Sequence, residues 1–112
     1  MCMWLANGDN LGPVLVSSTA IPDPQSLSIK AIYNGTAVQD GNTKDMIFTI
    51  RQQISYLSQG TTLEAGTIIL TGTPAGIGYF RNPRVVLRDG DEINVEISGI
   101  GTLVNKVRYD SR

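Results

Sequence analysis

The chain has 112 residues, of which 41% are hydrophobic and 17% charged, a composition that suits one folded domain with a modest core and argues against disorder. Nine basic and ten acidic residues give a formal net charge of −1, so the surplus of Lys and Arg that a nucleic-acid-binding protein uses to neutralise phosphates is missing. No histidine is present, which excludes a Ser-His-Asp triad, a Cys-His pair and a histidine-based metal site within this chain.

The cellular compartment is predicted from cysteine content and hydropathy. Cys2 is the single cysteine, so an intramolecular disulfide is excluded and a reducing compartment is expected. The first ten residues lack the basic start and the longer apolar run of a signal peptide. No apolar stretch approaches the roughly 20 residues that cross a bilayer. The expectation is a cytoplasmic domain with no membrane partner.

The first predicted elements are two strands and a turn. Residues 13–17 form a short apolar run that predicts a buried strand. The segment SLSIKAIY alternates, with Leu27, Ile29 and Ala31 facing one way, and predicts a half-buried strand. Asn34-Gly35 then predicts a hairpin turn, because both residue types tolerate the positive φ angles of a type I′ turn.

One main helix is predicted over about residues 43–58. Asn42 or Thr43 is suited to cap its first amides. Apolar side chains at spacings of three and four form one stripe, which predicts a helix packed on a sheet. The members of this stripe are Ile47, Ile50, Ile54 and Leu57.

The second half of the chain predicts strands. Residues 66–72 form an apolar run typical of a strand buried on both faces. Residues 85–87 are followed by an Asp89-Gly90 turn and then by alternation over residues 93–97, which predicts an antiparallel hairpin. A turn at residues 99–101 leads to a closing strand through Val107. The predicted fold class is therefore β-rich α+β.

The loop TGTPAGIG, residues 71–78, follows the predicted buried strand and is the main candidate site. Pro74 favours an extended conformation at Thr73, which would project the hydroxyl sideways. Glycines leave backbone amides unobstructed, so amides and hydroxyl together suit a carboxylate or enolate oxygen. The loop has neither the Lys-Ser/Thr of a Walker motif nor the order of a dinucleotide fingerprint. From residue types alone, a purely structural glycine loop is somewhat favoured over a ligand-binding loop.

Two charged clusters have both a functional and an ordinary interpretation. The carboxylates of Asp89, Asp91 and Glu92 could bind a cation, but a solvated turn is favoured. Arg81, Arg84 and Arg88 lie close together in sequence, yet the acidic residues follow at once. That arrangement favours a solvated edge over an anion-binding patch.

Four segments in this order and spacing resemble the C-terminal half of the fumarylacetoacetate hydrolase (FAH) superfamily catalytic domain. They are LGPVLVSSTAIPDP, NGTAVQDGNTKDMIFTI, ISYLSQGTTLEAGTIILTGTPAGIG and LRDGDEINVEISGIGTLVN. The resemblance covers about residues 11–108. It implies part of a mixed β-sandwich roll, usually in a homodimer, and a divalent cation, Mg²⁺ or Mn²⁺, that acts as a Lewis acid on a 2-oxo carboxylic acid.

The resemblance also implies roles for three residues. Thr73 matches the family threonine that hydrogen-bonds the substrate carboxylate, Gly72 allows close backbone approach, and Gln39 lies in a stretch that shapes the site. Residues 1–112 are then expected to be a single, truncated catalytic-domain segment. It would belong to an enzyme that hydrolyses a C–C bond, or performs a related decarboxylation or isomerisation, on an acylpyruvate-like acid.

The departures from the family pattern are informative. The family's Glu-x-Glu metal ligands and His-Glu acid–base pair lie upstream of the matching region, and a lysine that usually precedes the LGP segment is missing. The chain is therefore expected to hold no catalytic residue and no metal ligand of its own and to be inactive alone. Its expected protein partner is a second copy in a homodimer or a missing N-terminal half. The alternative hypothesis is a non-catalytic binding or assembly module that retains the half-fold.

Overall fold

The computed structural model describes residues 11–110, which contain one four-stranded sheet and one α-helix. The strands are β1 (Ser28–Tyr33), β2 (Thr36–Asn42), β3 (Glu92–Ile97) and β4 (Gly101–Lys106), and the helix is α1 (Ile50–Leu57). Three short 3₁₀ turns complete the list: Pro24–Ser26, Thr43–Asp45 and Gly78–Phe80. The predicted β-rich α+β class is confirmed. No helix among these residues is long and apolar enough to cross a membrane.

The sheet has the order β2-β1-β3-β4, and every neighbouring pair is antiparallel. Asn34 and Gly35 have φ angles of 45° and 81°, the left-handed pair that a type I′ turn between β1 and β2 requires. The turn at residues 99–101 joins β3 to β4 as predicted. β1 and β3, separated by nearly sixty residues, pair at the centre from Ile29 against Ile97 to Tyr33 against Ile93.

A bulge in β2 matters for the site. Ala31 pairs with Gln39, but Ile32 pairs with Ala37, so Val38 is left without a partner on β1. A bulge re-aims the side chains beside it and frees backbone groups from the ladder. Gln39 and Gly41 consequently lie on the same face of the sheet as Ala31, and the glycine-containing loop passes over that face.

The core of the described residues is small. Within residues 11–110, only Ala31 and Ile93 are buried apolar residues, at 5% and 4% exposure, and Gln39 is a buried polar residue at 6%. Fifteen large hydrophobic residues in the same range are exposed. The described residues therefore cover the sheet incompletely.

The helix is shorter than predicted. It begins at Ile50 with Thr49 as its N-cap, in a capping box with Gln52, whereas Asn42 caps the preceding 3₁₀ turn. The backbone at Met46 is extended, which separates the two elements. The predicted packing on a sheet is also incomplete, because Ile47 lies outside the helix at 92% exposure and Ile54 and Leu57 remain 44% and 42% exposed.

Three predicted strands do not form among the described residues. The segments at residues 13–17, 66–72 and 85–87 are irregular and do not pair with another strand. The prediction that residues 66–72 are buried on both faces is wrong for this chain, since Ile68 and Leu70 are 60% and 66% exposed. β3 pairs instead with β1 and β4. These segments are apolar as a buried strand would be, but a strand forms only where a second strand supplies hydrogen bonds.

Candidate functional site

The loop at residues 71–76 is held against β2 by the side chain of Gln39. Its amide nitrogen, Nε2, lies 2.9 Å from the Thr73 hydroxyl oxygen and 2.7 Å from the carbonyl oxygen of Pro74, with Ala75 O at 3.4 Å. Gln39 is buried, so these contacts replace water as its partners. Two of the residues predicted to form the site, Gln39 and Thr73, are thus in direct contact.

This arrangement fixes the direction of each hydrogen bond. The carbonyls of Pro74 and Ala75 can only accept, so the Gln39 amide must present its NH₂ group rather than its oxygen. The Thr73 oxygen then accepts from Gln39, which leaves its own proton to be donated elsewhere. Among the hydrogen bonds of residues 11–110, the Thr73 hydroxyl serves as an acceptor and not as a donor.

Glycines permit this loop conformation in two different ways. Gly72 has a φ of 93° and open space where a Cβ would be, so its requirement is conformational. Gly41 and Gly76 are required by close approach: an added Cβ would lie 2.8 Å from Pro74 Cβ at Gly41, and 2.3 Å from Val38 O at Gly76. Gly41 is a site-shaping residue that sequence reasoning missed, although a glycine within a strand is a known signal of close backbone approach.

Thr73 and Gly72 line an open cleft of about 560 Å³ over the sheet face. Its lining also includes Ile29 and Ile97 of the sheet, together with Phe48 and Gln53. Asp45 is the one ionisable side chain among the described residues that line it. The cleft thus offers a ligand apolar walls, several neutral hydrogen-bonding groups and one carboxylate.

In the acidic turn at residues 89–92, the carboxylates of Asp89 and Asp91 accept hydrogen bonds from neighbouring groups. Asp91 accepts from the Tyr33 hydroxyl at 2.5 Å, from Asn34 Nδ2 at 2.9 Å and from the Arg88 backbone N–H at 2.6 Å. These hydrogen bonds lower the pKa of the Asp91 carboxyl, and the one from Tyr33 has the largest effect. The hydrogen bond between Tyr33 and Asp91 also raises the pKa of Tyr33. Asp89 accepts from the Tyr109 N–H. Both carboxylates therefore take part in hydrogen bonds within the fold. Residues 11–110 contain no group of three or more acidic, Cys or His side chains placed to hold a metal ion.

Two arginines of the cluster, Arg81 and Arg84, make different contacts. Arg84 lies over the Tyr79 ring, 4.2 Å from its centroid. Arg81 instead turns inward and donates from Nε to Gly76 O at 3.2 Å and from Nη2 to Val38 O. The prediction of a solvated edge is therefore wrong for Arg81, which no sequence signal marked as a contact of the candidate site.

Comparison with known proteins places these features in a family. The family model described as "Fumarylacetoacetate (FAA) hydrolase C-terminal" matches residues 6–108. The chain is 46% identical over 97 residues to the human "Oxaloacetate tautomerase FAHD2A, mitochondrial", covering 87% of this chain and 31% of that protein.

Two solved structures extend the comparison to the fold. A fumarylacetoacetate hydrolase from Exiguobacterium antarcticum has a TM-score of 0.85 and 44% identity, over 88% of this chain and 35% of its own. Maleylpyruvate hydrolase from Sphingobium sp. SYK-6, in complex with manganese(II) and pyruvate, has a TM-score of 0.78 and 35% identity, over 89% and 35%. The chain therefore spans about a third of the length of the relatives that it matches.

Proposed function

Because the chain belongs to the fumarylacetoacetate hydrolase family, we propose that it supplies the carboxylate-binding part of an active site for a 2-oxo acid. Oxaloacetate and maleylpyruvate, named in its relatives, are both 2-oxo carboxylic acids. The whole domain would act on such an acid through its enol or enolate, in tautomerisation, decarboxylation or hydrolysis of a C–C bond. This chain would contribute binding and orientation.

The observation that carries the proposal is the unused proton of Thr73. Gln39 donates to the Thr73 oxygen, so the hydroxyl proton is directed away from Gln39 in a residue that lines the cleft. A carboxylate oxygen is an acceptor and would complete this chain of hydrogen bonds. Charge-assisted bonds of this kind are about twice as strong as neutral ones. Gly72 would allow the ligand to approach the backbone without meeting a Cβ.

A divalent cation is part of the proposal for the complete domain only. The manganese(II) in one related structure supports a divalent metal in the family, and Mg²⁺ or Mn²⁺ would both suit oxygen ligands. The described residues do not fit such an ion, because none of their acidic side chains are grouped in threes or more in positions that could hold it. Its ligands would come from outside this part of the chain, so the isolated chain is expected to bind Mg²⁺ no better than millimolar.

The experiment is a titration of the purified, ¹⁵N-labelled chain with oxalate, which mimics an enolate of a 2-oxo acid. We expect saturable shifts in the amide signals of Gly72 and Thr73. The shifts should be lost in Thr73→Ala and kept in Thr73→Ser, which retains the hydroxyl. Thr102→Ala, an exposed position on β4, is the matched control. Oxalate shifts of equal size in Thr73→Ala would refute the proposed role.

A second assay tests whether the groups that react with the substrate lie outside this chain, in the rest of the domain. The purified chain should show no turnover of oxaloacetate or acetylpyruvate with Mg²⁺ or Mn²⁺ present. Turnover by the 112-residue chain alone would contradict the proposal that the reacting groups lie elsewhere.

The alternative function is a non-catalytic binding or assembly module, and the exposed apolar residues favour it. Ile47 and Phe48 are 92% and 64% exposed, and Leu70 is 66% exposed. Such surfaces mark interaction sites. The partner would be a second copy of the chain or a polypeptide that supplies the missing half of the domain. Association without any oxalate binding would support this alternative.

A further inference from the structure

Arg81 connects the far end of the candidate loop to the bulge in β2. The side chain is half-buried, and its guanidinium donates to two backbone carbonyls, Gly76 O and Val38 O. Neither carbonyl belongs to a regular ladder pair, because Val38 is the residue that the bulge leaves unpaired and Gly76 is in the loop. One side chain thus bridges the strand and the loop.

The space around Val38 O leaves little room for another donor. A Cβ added to Gly76 would lie 2.3 Å from this oxygen and 3.2 Å from Arg81 Nη2. A buried carbonyl without a hydrogen bond costs about 1–3 kcal/mol. Arg is suited to this place because its planar group offers several donors in fixed directions, whereas the ammonium of Lys is a single point.

The Arg81 contacts complement those of Gln39. Gln39 binds the loop at Thr73 and Pro74, and Arg81 binds it at Gly76, while Gln39 and Val38 are consecutive residues of β2. The loop segment 73–76 is therefore fixed to one bulge at both of its ends. A shift of the Gly76 end would change the distance between Gln39 Nε2 and Thr73 Oγ1.

We propose that Arg81 is a positioning residue of the carboxylate site: by joining Gly76 to the Val38 bulge it keeps the Thr73 hydroxyl bonded to Gln39 and directed into the cleft. This inference rests on the proposed function of Thr73. Arg81 does not line the cleft itself and acts only through the loop.

Arg84 provides a matched control in the same segment. Its guanidinium packs on the exposed Tyr79 ring. It is exposed and makes no hydrogen bond to the loop among those of residues 11–110. Loss of Arg84 therefore removes the same charge without removing the bridge between loop and strand.

The experiment compares Arg81→Met, Arg81→Lys and Arg84→Met in the ¹⁵N-labelled chain by two readouts. The first is the side-chain NH₂ signal pair of Gln39 and its hydrogen exchange, which reports the bonds to Thr73 and Pro74 directly. The second is the dissociation constant for oxalate. We expect Arg81→Met to accelerate exchange of the Gln39 NH₂ and to weaken oxalate binding about tenfold, the equivalent of one such bond. Arg81→Lys should be intermediate, and Arg84→Met should stay within about twofold of the wild type.

The outcomes separate this inference from the proposed function. Wild-type Gln39 exchange and oxalate affinity in Arg81→Met would overturn the positioning role. Loss of the β3 and β4 amide signals in both Arg81 variants would also overturn it, because Arg81 would then support the whole sheet. If the wild type fails to bind oxalate, the proposed function fails, while the Gln39 NH₂ signals still decide whether Arg81 positions the loop.

Discussion

At the scale of single residues, Gln39 determines which groups in the loop donate and which accept. Its NH₂ group faces three oxygens, of Thr73, Pro74 and Ala75. We expect Gln39→Glu to place carboxylate oxygens against these carbonyls and to lower the free energy of unfolding by about 1–3 kcal/mol. The change should be measured by urea unfolding followed by circular dichroism.

Gln52→Glu is the control for the same chemical change. Gln52 Oε1 accepts from the Thr49 N–H at the start of α1, and a carboxylate accepts equally well beside a helix N-terminus. We expect this variant to be neutral or slightly stabilised. A Gln39→Glu variant as stable as Gln52→Glu would show that the amide does not have the orientation deduced here.

The Asp91–Tyr33 hydrogen bond gives the fold a defined pH dependence. The pKa of Asp91 is lowered from its ordinary value of 3.8 chiefly by the bond from Tyr33. The contribution of Asp91 is therefore present above that value and lost as the pH falls through the lower, folded pKa. The pKa of Tyr33 is raised above 10.0 by the same bond, so its contribution is present below pH 10.0 and lost at higher pH.

We expect Tyr33→Phe to reduce both pH-dependent losses of stability. Unfolding midpoints in urea between pH 2 and 5 should fall less steeply in the variant than in the wild type. The absorbance titration near 295 nm should lose the tyrosine that titrates above pH 10.0. Tyr56→Phe, which removes an exposed hydroxyl, should leave the acid part of the profile unchanged. Identical acid profiles for Tyr33→Phe and the wild type would contradict this account.

At the scale of elements, the loop depends on glycine for two separable reasons. Gly76 has both a positive φ of 108° and a close contact to Val38 O, whereas Gly90 has a similar φ of 85° with open space. We expect Gly90→Ala to cost about 1–2 kcal/mol for its backbone conformation. Gly76→Ala should cost about 1–3 kcal/mol more because the loop must move. Equal losses in urea unfolding would show that the loop and bulge are not in contact in solution.

The elements that could be predicted from sequence are those whose partners are near in sequence. The Asn34-Gly35 turn and the turn between β3 and β4 follow from residue types that tolerate positive φ angles. The apolar runs at residues 13–17 and 66–72 carry strand propensity but no information about a partner. The sequence predicts a helix start at residues 42–43 instead of 49–50, because Asn42 and Thr49 are both suited to cap a helix. Only the extended backbone at Met46 distinguishes them.

The candidate site can be predicted in part, because some of its residues share one local motif whereas others meet only through contacts between distant parts of the sequence. Thr73 and Gly72 lie in a motif with a distinctive composition, so the sequence points to them. The contact of Gln39 with Thr73 spans 34 residues, and Gln39 was associated with the site only through the family resemblance. Arg81 and the Val38 bulge could not be found, since a bulge is a property of strand register and one arginine among three has no local signal.

At the scale of the whole molecule, the described residues form a site with few buried supports. Ala31 and Ile93 are buried at the centre of the sheet, while large apolar side chains such as Ile68 and Leu70 are exposed. Burial of apolar surface is the main stabilising contribution in folding. The sheet and its turns therefore have ordered hydrogen bonds, whereas several large apolar side chains are exposed and would be available to the covering partner of the alternative proposal.

This distribution predicts a large loss of stability for a substitution at a buried apolar position and almost none at an exposed one. Ile93→Ala should lower the free energy of unfolding by about 2–4 kcal/mol, since it removes a side chain that is 4% exposed. Leu70→Lys, at a position 66% exposed, should change the stability of the chain by less than about 0.5 kcal/mol. It should also reduce binding of a hydrophobic dye and weaken self-association, or association with a complementing family segment, in sedimentation experiments. A loss of stability in Leu70→Lys as large as in Ile93→Ala would mean that the 66–72 run is buried within the chain itself, and the proposed need for a covering partner would be wrong.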